Sequence, residues 1–362
     1  MLRLQNHRLP LLSAASTLPS PIHPRTCHLL LSTSTSTTSS APFSLKDYLV
    51  AACGLALTQA REVSKKDVHQ LSIEYKKEKV SNFRLSSASN PDAILALLSR
   101  AGLSRADIAA VVSVEPLLLR TNMKKLAPRL LALRDRVGLC TPQITRFLLV
   151  ASRALRSCDV APRLEFFISF YGSFDRALVA AKRNWCHLSV SLERVTKLNI
   201  ALFHQRGVPD VAKVCLHDPR VLTFNPERVK EFLLRAVQLG VPAASPLFRQ
   251  AVQIVTNFSS EKVAAKLEFF KRTLGCSESE VSIAVSKMPQ ILGLSDATLL
   301  RKIEFLINEV AMQPQYIVQR PILLAFSLEK RPVPWHHVMK VLQEKGSLNS
   351  NTNLFQLVHY TE

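Results

Sequence analysis

The sequence predicts an all-α protein: a right- or left-handed solenoid, or superhelix, of helical repeats in which each unit contains two α-helices and a short turn. Two observations predict this fold: glycines recur at nearly constant spacing, and prolines follow several of them at a similar distance. A fixed period of about 20 to 50 residues is typical of solenoids, because each unit buries its apolar face only against its neighbours. Alternation of apolar and polar residues, which would indicate strands, is scarce.

Six of the nine glycines define the repeat. They are separated by 36, 34, 35, 33 and 35 residues, and they are Gly102, Gly138, Gly172, Gly207, Gly240 and Gly275. A glycine just after a helix can adopt the left-handed conformation that ends the helix at little cost. The pair Gly54-Leu55 matches Gly102-Leu103 and indicates an earlier, degenerate unit, which a lysine-rich insertion separates from the rest.

Helix signals flank these glycines. Residues 227–239 place apolar side chains on one stripe and charged side chains opposite, as in the first helix of a unit, and Gly240 follows. After Gly275, the spacing of Ser277 and Glu280 fits a capping box, which indicates that a second helix begins there. Each glycine therefore separates the two helices of a unit.

Prolines end the second helix in four places. Pro-x-x-Leu blocks begin at Pro116, Pro219, Pro289 and Pro321, about 12 to 14 residues after the glycine where that glycine is present. A proline removes a backbone donor and clashes with the preceding turn, so a helix break and a tight turn are predicted. The second, third and fifth units instead have Ser152, a residue near Asn184, and Ile254. Those units either continue their helix or break it differently.

The composition favours a polyanionic partner and gives no sign of catalysis. Lysine and arginine number 47 against 27 aspartates and glutamates, a net charge of +20, and such an excess promotes nucleic-acid binding. The seven cysteines are scattered, without the spacing of metal ligands, and no nucleotide-binding, hydrolase or metalloprotease motif occurs. We therefore expect no enzyme activity, cofactor, metal or small-molecule substrate. The apolar stretches are too short for a membrane span.

Residues 1–46 are predicted to be a disordered organelle transit peptide. They contain no acidic residue, include Arg3, Arg8 and Arg25, and carry a tract of only serine and threonine at residues 32–40. The early arginines favour the mitochondrion, with the chloroplast as the alternative. Because this segment has four basic residues, 16 of the 20 excess positive charges belong to the remaining chain.

From about Asp47 to Gly346 the chain resembles the mitochondrial transcription termination factor (mTERF) family as expanded in land plants. The most specific features are the Pro-x-x-Leu blocks in register with the glycines, and the run from Arg320 to Arg331 that is followed by Pro334. The resemblance implies two α-helices plus a 3₁₀ turn per unit and a basic concave path for nucleic acid. It also implies action on organellar transcription, intron splicing or ribosome assembly.

Other helical repeats fit less well. A tetratricopeptide array would need a tryptophan and a tyrosine in each unit, whereas the chain has two tryptophans far apart. Pentatricopeptide units would lack the Pro-x-x-Leu block. The predicted organisation is therefore a degenerate repeat with a polar insertion at 47–90, an mTERF repeat domain at 91–346 and a C-terminal tail at 347–362.

Basic residues recur near the start of each first helix, where they could neutralise phosphates and release condensed counterions. The candidates are Lys124, Lys125, Arg129, Arg156, Arg163, Arg194, Lys197, Arg228, Lys230, Lys262, Lys266, Arg301, Lys302, Lys330 and Arg331. Base stacking is not indicated, because the paired phenylalanines fall on core stripes: Phe166, Phe167, Phe269 and Phe270. Shape and backbone recognition of a duplex or a structured RNA is expected.

Three functions remain open at this stage. The first is binding of organellar DNA with a role in transcription termination or regulation. The second is RNA binding in intron splicing or ribosome assembly, and the third is a scaffold for other proteins, since solenoids commonly bind peptides. A monomer is expected, with organellar transcription or splicing proteins as further partners.

Overall fold

The computed structural model describes residues 43–74, 85–347 and 354–360, and within them every regular element is helical. The helices of the first units pair across the predicted glycines. These pairs are α1 (Leu45–Cys53) with α2 (Leu57–Glu74), α3 (Ser89–Arg100) with α4 (Arg105–Val114), α5 (Met123–Asp135) with α6 (Thr141–Ser157), and α7 (Ala161–Tyr171) with α8 (Phe174–Arg183).

The later units follow the same plan. Their helices are α9 (Lys197–Gln205) with α10 (Val211–His217), α11 (Pro226–Gln238) with α12 (Phe248–Asn257), α13 (Ser260–Leu274) with α14 (Glu278–Lys287), α15 (Asp296–Glu304) with α16 (Pro314–Gln319), and finally α17 (Ile322–Ala325), α18 (Pro332–Glu344) and α19 (Leu354–Tyr360). A π-helical turn precedes α9 at Leu192–Thr196, and another extends α15 at Phe305–Glu309.

Successive units stack helix on helix. Among the first helices, α3 contacts α5, α5 contacts α7, and α9 contacts α11; among the second helices, the contacts run from α2 through α4, α6, α8 and α10 to α12. The leucines that end the Pro-x-x-Leu blocks are all buried: Leu119, Leu222, Leu292 and Leu324. Burying a leucine side chain contributes about 2 kcal/mol, so these turns help to join the units. The predicted helical-repeat solenoid is confirmed.

The proline-initiated turns form as predicted in three units. 3₁₀ turns occupy Pro116–Arg120, Pro219–Leu222 and Pro289–Gly293. After Pro321 the chain instead makes the four-residue α-helix α17. The prolines thus end the second helices at the predicted positions.

The units without a proline use both of the predicted alternatives. In the third unit Trp185 takes the place of the proline, and the Asn184 side chain accepts a hydrogen bond from Cys186 N at 3.2 Å, so a 3₁₀ turn still forms over Trp185–Leu188. In the second unit α6 continues through Ser152, with a kink at Ala151, where φ is −131°. In the fifth unit α12 passes through Ile254, and α13 begins directly after its Ser259 cap.

The unit after Gly275 contains an unexpected turn residue. Ala311 lies 36 residues after Gly275 and has φ +56°, the one positive φ outside glycine among the described residues. It therefore stands where the other units have a left-handed glycine. The sequence prediction missed this turn because it searched for glycine.

The ends of the folded region differ from the predicted boundaries. Helix α1 begins at Leu45 with Ser44 as its cap, inside the segment predicted as leader, and α2 occupies much of the predicted insertion. Helix α19 lies in the predicted tail and packs against α18, with Leu354 and Val358 buried. Residues 1–42, which hold most of the predicted transit peptide, lie outside the described residues. Within the described segments, none of the helices combines the length and apolarity that a membrane span requires.

Ala311→Gly is expected to stabilise the protein. An alanine in the left-handed region costs about 1 to 2 kcal/mol, and the entropy of glycine in the unfolded chain offsets about 0.4 to 1 kcal/mol of that gain. We expect a net gain of about 0.5 to 1 kcal/mol in urea unfolding. Gly275→Ala is the matched control: no neighbouring atom lies within 4 Å of an added Cβ, so it should lose about 1 kcal/mol. A loss of stability in the Ala311 variant would contradict this assignment.

A buried histidine should make stability depend on pH. His187 is 0% exposed, its ring meets the edge of Phe167 at 4.5 Å, and burial lowers its pKa from 6.5 to about 4. The unfolded state therefore binds the proton at a higher pH than the folded state does. Above about pH 6.5 the protonation of His187 does not affect the free energy of unfolding. As the pH falls toward 4, it lowers that free energy by at most about 1.4 kcal/mol per pH unit.

His187→Gln is accordingly expected to lose less stability than the wild-type protein when urea unfolding is compared at about pH 7 and about pH 5. The exposed His69 provides the control, since His69→Gln should leave the pH dependence unchanged. An unaltered pH dependence in the His187 variant would show that its proton is bound equally in both states.

Candidate nucleic-acid interface

The fifteen predicted basic residues lie at one side of the repeat. We call it the turn edge: the side where each second helix ends, the tight turn follows, and the next first helix begins. The opposite side, where the turn glycines lie, is the glycine edge. Since first helices such as α3, α5 and α7 contact one another in succession, the starts of neighbouring first helices lie side by side along the turn edge.

Seven of the candidates are exposed and have no acidic or carbonyl partner among the described residues. They are Lys124, Lys125, Arg194, Arg228, Lys230, Lys262 and Lys330. Arg228 is held in place by aromatic rings, with its guanidinium 5.2 Å from the centroid of Phe224 and 5.3 Å from that of Phe232. These seven side chains can meet phosphate without giving up an existing partner.

Four other candidates donate hydrogen bonds to backbone carbonyls. Arg129 donates to Leu155 O at 3.0 Å and to Arg156 O at 2.6 Å, and Arg163 donates to Val190 O at 3.0 Å. Lys266 also donates to a backbone carbonyl, that of Leu294, and it pairs in addition with the Asp296 carboxylate. Lys302 is buried, and its Nζ donates to Leu324 O and Phe326 O, both at 2.7 Å.

These four share one position, nine residues before the turn residue of their unit, with Ala311 counted as a turn residue. The carbonyls that they contact lie at helix ends and tight turns, where the chain leaves acceptors without internal partners, and a cation there is favourable. Asn199 performs the same role in its unit, donating to Val221 O at 3.0 Å and Phe224 O at 2.9 Å. These donors therefore join units, and Asn199, eight residues before Gly207, shows that a positive charge is not required.

The remaining candidates have other partners. Arg156 pairs with Glu74 and, through Nε, with Glu115 at 3.2 Å. The exposed pairs are Lys197 with Glu193 at 2.6 Å and Arg301 with Glu329 at 2.6 Å. Arg331 lies over the Phe326 ring at 5.3 Å and contacts Val358 O at 3.5 Å. The structure thus presents Lys302 as a buried internal cation, and the other candidates remain predictions as phosphate contacts.

Sequence reasoning missed a second row of cations on the turn edge. Lys66, Arg183 and Lys287 lie 11 or 12 residues after a turn glycine. Each reaches the carbonyls at the end of the next second helix: Lys66 to Val114 O at 2.6 Å, Arg183 to His217 O at 3.4 Å, and Lys287 to Gln319 O at 3.2 Å. Counting from the glycines would have found this row, because its spacing is as regular as that of the first row.

Aromatic and nucleophilic side chains contribute little to this edge. Phe167 and Phe270 are buried, and Phe166 and Phe269 pack against the core, as predicted. His187 is enclosed in the core beside Cys186, and burial lowers its pKa, which keeps the ring neutral at pH 7. No cluster of three or more metal-ligating side chains is found in the part of the chain that the structure describes.

Comparison with known proteins agrees with this architecture. The mTERF family model matches residues 187–362, from the 3₁₀ turn of the third unit to the end of the chain. Residues 187–362 are therefore identified as an mTERF domain. Members of the mTERF family are nucleic-acid-binding regulators of organellar gene expression and not typical enzymes, and the match supports nucleic-acid binding as the general role of this chain. No curated protein matches the sequence.

Carbonyl-bound and exposed cations should differ in how much they contribute to stability, and two lysine substitutions test this difference. Lys302→Ala should lower the free energy of unfolding by about 1 to 3 kcal/mol, because two buried carbonyls lose their donor. Lys330→Ala, on the exposed surface, should change it by less than about 0.5 kcal/mol. Urea unfolding measures both. A stability loss of equal size in the two variants would contradict the assignment.

Proposed function

We propose that this protein binds organellar DNA along its turn edge and regulates transcription, with termination as its main role. The observation that carries the proposal is the recurrence of exposed cations without acidic partners near the starts of five first helices: α5, α9, α11, α13 and α18. Phosphate groups bind such side chains and release condensed counterions, which provides affinity without sequence reading. A protein bound in this way can block an advancing polymerase or recruit one.

The mitochondrion is the proposed location. Residues 1–46 support it, because an acid-free, arginine-containing leader responds to an inside-negative membrane potential. Import of a fusion of residues 1–46 to a fluorescent protein into mitochondria, and not into chloroplasts, is the expected result. Chloroplast import would transfer the proposed role to that organelle.

Backbone recognition of a duplex accounts for the arrangement better than base stacking does. The exposed turn-edge cations are spaced one or two units apart, and no RNA-recognition aromatic signature occurs in the sequence. Crosslinking in isolated organelles, followed by sequencing of the bound nucleic acid, tests the choice. Recovery of organellar DNA near transcript ends is expected, whereas recovery of intron RNA alone would replace termination with a role in splicing.

Salt dependence of binding tests the turn edge itself. A variant with Arg194, Arg228, Lys262 and Lys330 all changed to alanine should lower the slope of log affinity against log salt by about 3 to 4 on a DNA duplex, since each phosphate contact contributes about 0.9. If six or more phosphates are contacted, wild-type affinity should fall about 10³-fold or more between about 50 and 200 mM salt.

The matched control removes the same charge from the glycine edge. Arg176, Arg206, Lys213 and Arg272 are exposed and lie near turn glycines, so changing all four to alanine should lower the slope by less than about 1. Equal effects of the two variants would mean that overall charge, and not the turn edge, binds the duplex. A flat salt response of the wild-type protein would favour a protein scaffold.

A further inference from the structure

A small cavity lies on the turn edge, beside helix α2. It has a volume of about 230 Å³ and lies between the Pro116–Arg120 turn, the start of α5 and the end of α6. Arg120, Lys125 and Arg156 line it, and none of the described residues that line it is acidic. Three positive side chains around one small cavity form a charge pattern suited to a single anionic group.

Buried carboxylates hold the side chains of the two arginines in position. Arg120 Nε donates to Asp67 Oδ1 at 2.8 Å, and a second nitrogen of the same guanidinium contacts Oδ2. Arg156 Nε lies 3.2 Å from Glu115 Oε1. Asp67 and Glu115 are 1% and 4% exposed, so the guanidinium groups are fixed before any ligand arrives.

Positive charge exceeds negative charge around this cavity. Lys125 is exposed and has no acidic or carbonyl partner among the described residues. Arg153 pairs with Glu74 at 3.2 Å, and Lys66 Nζ donates to Val114 O, next to Glu115, at 2.6 Å. Basic side chains therefore outnumber the three carboxylates Asp67, Glu74 and Glu115, and Lys125 supplies charge that these carboxylates do not balance.

We propose that this cavity binds one phosphate group of the nucleic-acid backbone and fixes the register of the bound strand on the solenoid. The inference rests on the proposed function and adds to it a built site. Elsewhere on the turn edge, an exposed lysine or arginine offers a phosphate a mobile contact. Here two guanidinium groups that are already held in position and Lys125 surround the same space. Their donors therefore immobilise the bound phosphate.

Inorganic phosphate is the first probe of the cavity. Line broadening in the ³¹P NMR signal of inorganic phosphate, at constant ionic strength, is expected with the full wild-type chain and should be lost with Lys125→Ala. Lys213→Ala is the matched control, because Lys213 is an exposed lysine of the glycine edge and does not line the cavity; it should retain the broadening. Arg120 and Arg156 are not substituted, since their buried ion pairs support the fold.

A DNA duplex is the second probe. Saturating the wild-type chain with duplex should abolish the broadening, because a backbone phosphate then fills the cavity. In salt titrations Lys125→Ala should lower the slope of log affinity by about one. Broadening that persists with duplex bound, or that is absent from the wild-type chain or lost equally with Lys213→Ala, would overturn the proposal. Failure of the wild-type chain to bind duplex would instead refute the proposed function, and this site with it.

Discussion

Each unit of the solenoid ends in backbone carbonyls that its own helices cannot satisfy, and side chains from neighbouring helices supply the missing donors. Arg163 and Lys302 reach the tight turns, while Arg129, Lys66 and Lys287 reach the ends of second helices. Buried acceptors without donors would cost about 1 to 3 kcal/mol each. The stacking of units therefore depends on these contacts as well as on the buried leucines of the turns.

This requirement divides the positive charge of the chain between two tasks. Cations nine residues before four of the turn residues join units, and Asn199, eight residues before Gly207, shows that a neutral donor can do the same. Cations in the first turn of a first helix, such as Lys125 and Lys262, face solvent. The two classes alternate along the same helices, which explains why the basic residues look like one continuous stripe in the sequence.

Near helix α2, cations of the turn edge pair with acidic side chains instead of carbonyls or solvent. Asp67 and Glu74 pair with Arg120 and Arg156, and burial raises the pKa of the neighbouring Glu115 although Arg156 opposes the rise. A buried ion pair contributes little net stability, because desolvation offsets the attraction, but it fixes geometry. Here it holds two guanidinium groups at the edge of a cavity, and it ties α2 of the degenerate unit to the next two units along the chain.

The sequence by itself determined the helical repeat, its period and the sites where proline ends a helix, because glycine and proline act on the backbone within one or two residues. It could not decide how Ser152 or Ile254 behave, since a helix continues or stops there according to what packs against it, and it missed Ala311 because only the tertiary structure holds an alanine in a left-handed turn. The basic residues were visible as a set. Their separation into exposed cations and internal donors depends on carbonyls 22 to 28 residues further along the chain, which only the stacking of units brings within reach.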